Sequence, residues 1–512
     1  MEGCAWPGLT PEPLLRYQSG NGCCEYGPVS ILRHSLGGAP QNPITTVALA
    51  LALAALAGVV WFHRPDGGRI GALSYPAESA GRLVERDLSL YAGDYAALPG
   101  WERSFFTLLF GDRAQVERHG IRVYRDVLGY FNQRPQRATA WAVLNTRIRL
   151  MVLLAESGRT GALRAELDGL DPAPEQQAVA EALAFAYHLD AGPDRLTPMA
   201  LAGLRLLPLG WAADRMWLHA SERAGDQATA ARYRRLLQNA GREARTRVVL
   251  FAGLNAALIG AGLLLALIWW RRGGAGLGWR ARALERPWSL GEGFAVFVRA
   301  GTLGLIIFVL LAAFSGSLFH PRLLALWSGL FASLPMIWLI RRFLLAPRGL
   351  GYTTAFGLDA RRRLLGTLGA ALAVLAVEQA GSLLIAWGGW KLGLHSPWSE
   401  GIPERLIWAP WSTTVLGTLD TVAWGPVFEE IGFRGLVYVT LRARMGPLPA
   451  ALLSAGLFAG LHPYSPAAML AVLWSGLVWA LAFERLRSLL PGILAHMGTN
   501  LLAVSTVLLF YR

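Results

Sequence analysis

Apolar and polar positions alternate along this chain in two different ways. The stretch Ile44–Phe62, ITTVALALALAALAGVVWF, runs without a charge and ends on Trp61 and Phe62. Length and apolarity predict a membrane helix, with Trp61 placed as an interfacial aromatic. From residue 63 to 247 the pattern changes: apolar residues recur at helical spacing among charged ones, as in WAVLNTRIRLMVLLAESGRTGALRAELDGL and RMWLHASERAGDQATAARYRRLLQNAG. That spacing predicts a soluble helical domain. Continuous apolarity returns in Val248–Trp270, Ala300–Phe319, Leu323–Ile340, Leu364–Trp387, Trp408 to about Tyr438, Pro449–His462, Ala467–Phe483 and Leu489–Phe510. Each is a candidate membrane helix, and with the first span they make roughly nine.

Composition agrees with this division. Hydrophobic residues are 54% of the 512 and charged residues only 16%, a balance that excludes a string of ordinary soluble domains. The expected fold class is therefore all-α: a polytopic helical membrane protein with a C-terminal intramembrane bundle and an inserted soluble helical domain. The expected divisions are an irregular leader at 1–43, a transmembrane helix at 44–62, a soluble domain at 63–247, transmembrane helices at 248–352 and a membrane core at 353–512. The leader is rich in Gly and Pro without a helical or strand period. It holds all three cysteines, Cys4, Cys23 and Cys24, so no disulfide framework runs through the chain. The two quoted helical pieces each break at a glycine, Gly158 or Gly225, and this resembles helix-hairpin solenoids of the tetratricopeptide type; a plain helical bundle is the competing expectation.

The net charge of +14 comes from arginines clustered beside apolar spans, which is how membrane topology is encoded. Nucleic acid is not needed as a partner to explain them. The segments RRGGAGLGWRARALER, RRFLLAPRGLGYTTAFGLDARRR, LRARMG and FERLRS are Arg-rich, whereas KLGLHSPWSEGIPER and HPYSP are not. The positive-inside rule puts the first set in the cytoplasm and the helical domain on the extracytoplasmic side of a bacterial-type plasma membrane.

Polar residues inside the last spans are where chemistry is expected. They form EEIGFR (Glu429–Arg434), FAGLH (Phe458–His462) and HMGTN (His496–Asn500), each on a separate span. At about 1.5 Å of rise per residue the three groups come to similar depth. Glu430 and Arg434, four apart, share a helix face and can neutralise each other. Glu429 points about 100° away and stays free to deprotonate water. His496 and Asn500 are also four apart and can donate to the oxyanion formed when water attacks a carbonyl. His462 can hold the water. Alternatively Glu429, His462 and His496 ligate a divalent metal such as zinc with one position open. Glu378 and Asp420, which belong to none of these groups, are expected to act as interhelical polar contacts. His188, His219, His320 and His395 are expected to be ordinary surface or packed histidines.

The ordered set EEIGFR, FAGLH and HMGTN resembles the three signature motifs of the CPBP family of intramembrane proteases, also called the CAAX protease, bacteriocin-processing or abortive-infection family. The upstream FGLDARR resembles the amphipathic lead-in to that family's core, so the resemblance covers about Thr353 to Phe510. It implies an intramembrane endopeptidase acting on membrane-associated protein or peptide substrates. In that reading Glu429 activates water with help from His462, His496 and Asn500 stabilise the oxyanion, and Glu430 and Arg434 support them. The family includes members described as metalloproteases and as metal-independent glutamate proteases, so both chemistries stay open. Two other classes compete: a catalytically silent scaffold or immunity-type protein that binds a partner through its helical domain, and a proton- or ion-coupled transporter.

Overall fold

The computed structural model describes residues 68–189, 195–271, 288–313, 321–359, 364–394, 396–400, 402–462 and 464–512. The leader, the first span at 44–62, the three cysteines, His320 and His395 lie outside the described residues. Among the described residues the secondary structure is helical, with no strand.

Among the described residues, the soluble part ahead of α9 is built from eight helices of eight residues or more: α1 (Pro76–Leu90), α2 (Gly100–Phe110), α3 (Arg113–Gln133), α4 (Ala140–Glu156), α5 (Thr160–Asp168), α6 (Pro174–Ala186), α7 (Pro198–Arg205) and α8 (Trp211–Ala224). Their ends follow local chemistry. Asp112 and Gln115 form a capping box at the start of α3, and Thr139 and Thr197 cap α4 and α7, which satisfies amide donors that the first helical turn leaves unpaired. Gly158 and Gly225 take positive φ angles of 69° and 72°, so the hairpin breaks expected at those glycines are present, in a conformation that costs glycine little. The core of this part is a continuous cluster that includes Tyr124, Ile148, Met151, Leu153, Phe185 and Met216.

The soluble part does not end at a linker. Helix α9 runs unbroken over Gln227–Arg271, so the 247/248 division falls inside one 45-residue helix. Its side chains change environment rather than its backbone changing course. Arg245, buried, donates to the carbonyl oxygens of Leu90 and Ala92 and pairs with Asp94. A few residues later Val249, Leu250 and Leu254 stand exposed.

The membrane part adds α10 (Leu290–Ala313), α11 (Pro321–Leu339), α12 (Leu364–Lys391), α13 (411–442), α14 (Pro447–Gly460), α15 (Pro466–Leu486) and α16 (Leu490–Phe510). Among the described residues six helices are long and apolar enough to cross a membrane, α9 and five of these. The chain is an integral, multi-pass membrane protein. Helix α10 begins ten residues before the apolar stretch expected at Ala300, because Glu292 accepts from the Ser289 amide and pairs with Arg348, which lets a charged first turn form. The span expected from Trp408 instead breaks at Ala409 and Pro410. The short helix Glu404–Trp408 ends there, and α13 starts at Trp411.

Helix α13 is irregular, with two π-helical segments. It is assembled from Trp411–Leu419, a π-helical turn Asp420–Trp424, Gly425–Glu429, a longer π-helical run Glu430–Tyr438 and Val439–Arg442. Such wide turns are rare and concentrate at functional sites. Helix α14 has 14 residues, or about 21 Å of rise, less than the roughly 30 Å hydrocarbon layer. Its end therefore falls within the depth of the bundle.

One end of the bundle carries the soluble domain. The Glu404 carboxylate accepts from the Ser74 amide at 2.5 Å, the Tyr75 amide at 2.9 Å and the Ser79 hydroxyl at 2.8 Å. It thus caps the start of α1 from another part of the chain. Arg86 donates to the Tyr511 hydroxyl, and Arg247 donates to the Leu509 carbonyl oxygen at 2.7 Å.

Candidate active site

Helices α13, α14 and α16 bring the expected residues to one cavity of about 360 Å³. Glu429 from α13, His462 just past the end of α14, and His496 and Asn500 from α16 all line it. His462 reaches this level because α14 is short. The same cavity is lined by Asp420, Trp424 and Phe428 of α13, by Tyr464, and by Gly329, Leu330 and Ser333 of α11.

Asp420, expected as an interhelical polar contact, faces Gly329 of α11 and is also a wall of the cavity that holds Glu429. Nothing in its local pattern marks it, although it shares an irregular helix with Glu429. The α11 residues were also invisible in the sequence, because they come from a helix upstream of the recognisable motifs.

Each imidazole is fixed by one ring nitrogen. His462 Nδ1 lies 2.8 Å from the carbonyl oxygen of Phe458. A carbonyl only accepts, so Nδ1 carries the proton and Nε2 of the neutral ring is left as an acceptor. His496 Nδ1 lies 3.1 Å from Glu430 Oε1, and its Nε2 is 3.6 Å from Glu429 Oε2. With Glu430 ionised, the His496 proton likewise sits on Nδ1. This refines the expected oxyanion role: His496 Nε2 donates only when the ring carries both protons. Asn500 donates from Nδ2 to the Thr421 carbonyl oxygen at 2.8 Å, which fixes the amide and leaves its second N–H uncommitted.

Behind these groups sits a buried ion pair. Arg434 Nη1 donates to Glu430 Oε1 at 2.9 Å, with the two side chains 0% and 1% exposed. The expected i, i+4 pairing therefore persists although the backbone there is π-helical. Arg434 also lies against aromatic faces, its guanidinium carbon 4.5 Å from the Phe458 ring centroid and 5.0 Å from that of Trp479. Trp479 itself stacks on His496. Space for the guanidinium exists because residue 476 is glycine; a Cβ there would stand 3.0 Å from Arg434 Nη2.

Glu378 of α12 is 2% exposed and accepts from the hydroxyls of Ser475 at 2.6 Å, Thr499 at 2.8 Å and Ser382 at 3.1 Å. It ties α12 to α15 and α16, as expected of an interhelical contact, and it fixes α16 one residue from Asn500. His219, in the soluble part, is bonded to Glu156.

A metal needs its donors gathered. Among the described residues no group of three or more His, Cys, Asp or Glu side chains is close enough to hold one.

Residues 410–502 match the family model described as Type II CAAX prenyl endopeptidase Rce1-like. Among curated proteins and among solved structures, nothing matches the chain. The matched segment covers 93 of the 512 residues and contains Glu429, Glu430, Arg434, His462, His496 and Asn500. Over residues 410–502 the chain is thus similar to the Rce1-like Type II CAAX prenyl endopeptidases, and that matched segment carries the acidic, imidazole and amide groups that line the cavity.

Proposed function

We propose that this segment is an intramembrane endopeptidase that hydrolyses peptide bonds of membrane-associated proteins or peptides with a water activated by Glu429. The observation that carries the reading is the convergence of Glu429, His462, His496 and Asn500, from separate helices, on one cavity. Glu429 takes a proton from water as the oxygen attacks the carbonyl carbon, then passes it to the departing amide nitrogen. His462 Nε2, an acceptor, holds the water's second hydrogen. The free N–H of Asn500 donates to the oxyanion, joined by His496 when its ring is doubly protonated. Glu430 orients His496, and Arg434 balances the charge of Glu430.

The second reading places a divalent metal such as zinc on Glu429, His462 and His496. Its support is that both imidazoles spend Nδ1 on an oxygen acceptor and keep Nε2 for the cavity, the pattern by which second partners orient metal-binding histidines. In the present arrangement the three donors do not close on one point.

The helical domain is read as the part that recruits the substrate or a partner protein. It stands on the end of the bundle where Glu404, Leu406 and Arg512 lie, the same end at which Ser465, beside Tyr464, bonds to Glu400 and Ser396. The opposite end carries Arg271, Arg341, Arg342, Arg348, Arg442, Arg444, Arg485 and Arg487. That asymmetry supports a cytoplasmic location for the Arg-rich end and an extracytoplasmic one, in a bacterial-type plasma membrane, for the domain.

The test compares the membrane proteome and peptide cleavage by the full chain with those of Glu429→Gln. Loss of roughly 100-fold or more of the cleavage is expected, on the usual scale for removing a general base. If products are unchanged, the peptidase reading fails and a silent scaffold or an ion-coupled transporter takes its place. Metal content of the purified active protein, with activity before and after chelation, separates the two hydrolytic readings.

A further inference from the structure

Helix α2 presents an apolar face that no other part of the described chain covers. Trp101 is 71% exposed, Leu108 77% and Leu109 49%, while Phe106 on the other side of the same helix is buried and Phe110 packs toward the core. Trp101 and Leu108 are seven residues apart and so lie on one face, two turns from each other. An apolar face of this kind on an otherwise water-facing domain marks a surface that binds something.

We propose that α2 lies in the membrane–water interface, with Trp101, Leu108 and Leu109 in the headgroup and upper acyl region of the bilayer that α9 crosses. The position of the helix selects lipid as the occupant. Arg245 of α9 holds the carbonyl oxygens of Leu90 and Ala92 and pairs with Asp94. Within a few residues α9 turns lipid-facing, at Val249, Leu250 and Leu254. Asp94 is followed by Tyr95, whose hydroxyl donates to the Arg103 carbonyl oxygen at 3.3 Å and whose ring centroid is 6.5 Å from that of Phe106. Helix α2 is therefore tied, within one tyrosine's length, to the level at which α9 passes into the membrane.

The chemistry suits that level. Exposed tryptophans gather at the same end of the bundle, with Trp387, Trp390 and Trp411 each more than half exposed and the Lys391 ammonium 4.7 Å from the Trp390 ring centroid. Indole rings and cationic tips concentrate at bilayer interfaces, and Trp101 joins that belt from the soluble domain. A short helix with large apolar side chains gains from burying them beneath the headgroups in proportion to area. It adds a support on the bilayer itself to those that α9, Glu404 and Arg86 give the helical domain on the bundle.

The test uses the full chain with Cys4, Cys23 and Cys24 replaced by serine, reconstituted in phosphatidylcholine–phosphatidylglycerol liposomes and carrying one nitroxide at a time. Labels at Leu108→Cys, at Leu250→Cys as the lipid-facing reference and at Ala228→Cys as the aqueous reference are compared by collision with oxygen and with a water-soluble nickel chelate. Ala228 is about 30 Å along α9 from Val248. The oxygen-to-nickel ratio at position 108 is expected to stand several-fold above that at 228 and toward that at 250. A ratio equal to that at 228 overturns the proposal. Dipolar broadening between labels at 108 overturns it as well, since a second copy of the chain would then cover α2. All three positions labelled are surface positions, so the substitutions leave the core intact, and the spectrum at Ala228 reports that the domain is folded.

Discussion

The imidazole of His496 lies nearly flat against the indole of Trp479, ring centroids 4.0 Å apart and planes inclined by 20°. Phe458 meets the same imidazole edge-on, at 6.1 Å and 89°. With Glu430 on Nδ1, the ring has its rotation set by a hydrogen bond and its plane set by packing. Trp479 belongs to none of the three motifs, yet it decides where His496 Nε2 points. Trp479→Leu is expected to lower the cleavage rate roughly 10- to 100-fold, because displacements near 1 Å cost rates on that order. Trp479→Phe should keep more of it. Single-turnover kinetics on a membrane peptide check this, and equal rates in both variants and the parent would show that the stack does not position the ring.

Glu430 and Arg434 should matter to folding as well as to the placement of His496. Removing one member of a fully buried ion pair leaves an uncompensated charge and costs about 3–5 kcal/mol, whereas replacing both with apolar residues is often neutral. Arg434→Met is therefore expected to reduce the yield of folded protein sharply, and Glu430→Leu combined with Arg434→Met to restore much of it. Thermal unfolding in detergent distinguishes the variants.

The attachment of α1 to Glu404 predicts a local effect. Glu404→Ala removes the acceptor of the Ser74 and Tyr75 amides, and a hydrogen bond to a charged group contributes about 1.5–3 kcal/mol. Hydrogen exchange at those two amides should accelerate at least fivefold while amides deep in α4 keep their protection. Unchanged exchange at Ser74 and Tyr75 would mean that the carboxylate does not hold the domain.

Acid should loosen the helical domain through Glu156. Burial acts against its charge, but the hydrogen bonds from His219 and Arg215 outweigh burial and hold its carboxyl down at about 2, against an ordinary 4.5. For an acid whose folded value is depressed, the stabilisation is complete above about 4.5 and is lost as pH falls from there toward 2. Glu156→Gln should lower Tm at neutral pH, where about 2–4 °C corresponds to 1 kcal/mol for a domain of this size, and should flatten the acid limb between those values. Tm measured from pH 7 to pH 3 on the parent and the variant checks the sign.

Local pattern alone makes legible the helical class, the change from mixed to continuous apolarity along the chain, and Glu429, His462, His496 and Asn500 as polar residues within apolar spans. Each of these is written in local pattern: apolar length, helical spacing, glycine at Gly158 and Gly225, and charged residues in spans where a charge is costly. The tertiary structure decided what those residues touch. That His496 is held by Glu430 and Trp479, that Asp420 shares the cavity with Glu429, and that α11 supplies a wall of it all depend on contacts between residues far apart in the chain. The π-helical run from Glu430 to Tyr438 was equally out of reach, since no residue pattern distinguishes it from an ordinary helical turn. Local propensity fixes which segments become helices; packing between them, which depends on the whole chain, fixes where their side chains meet.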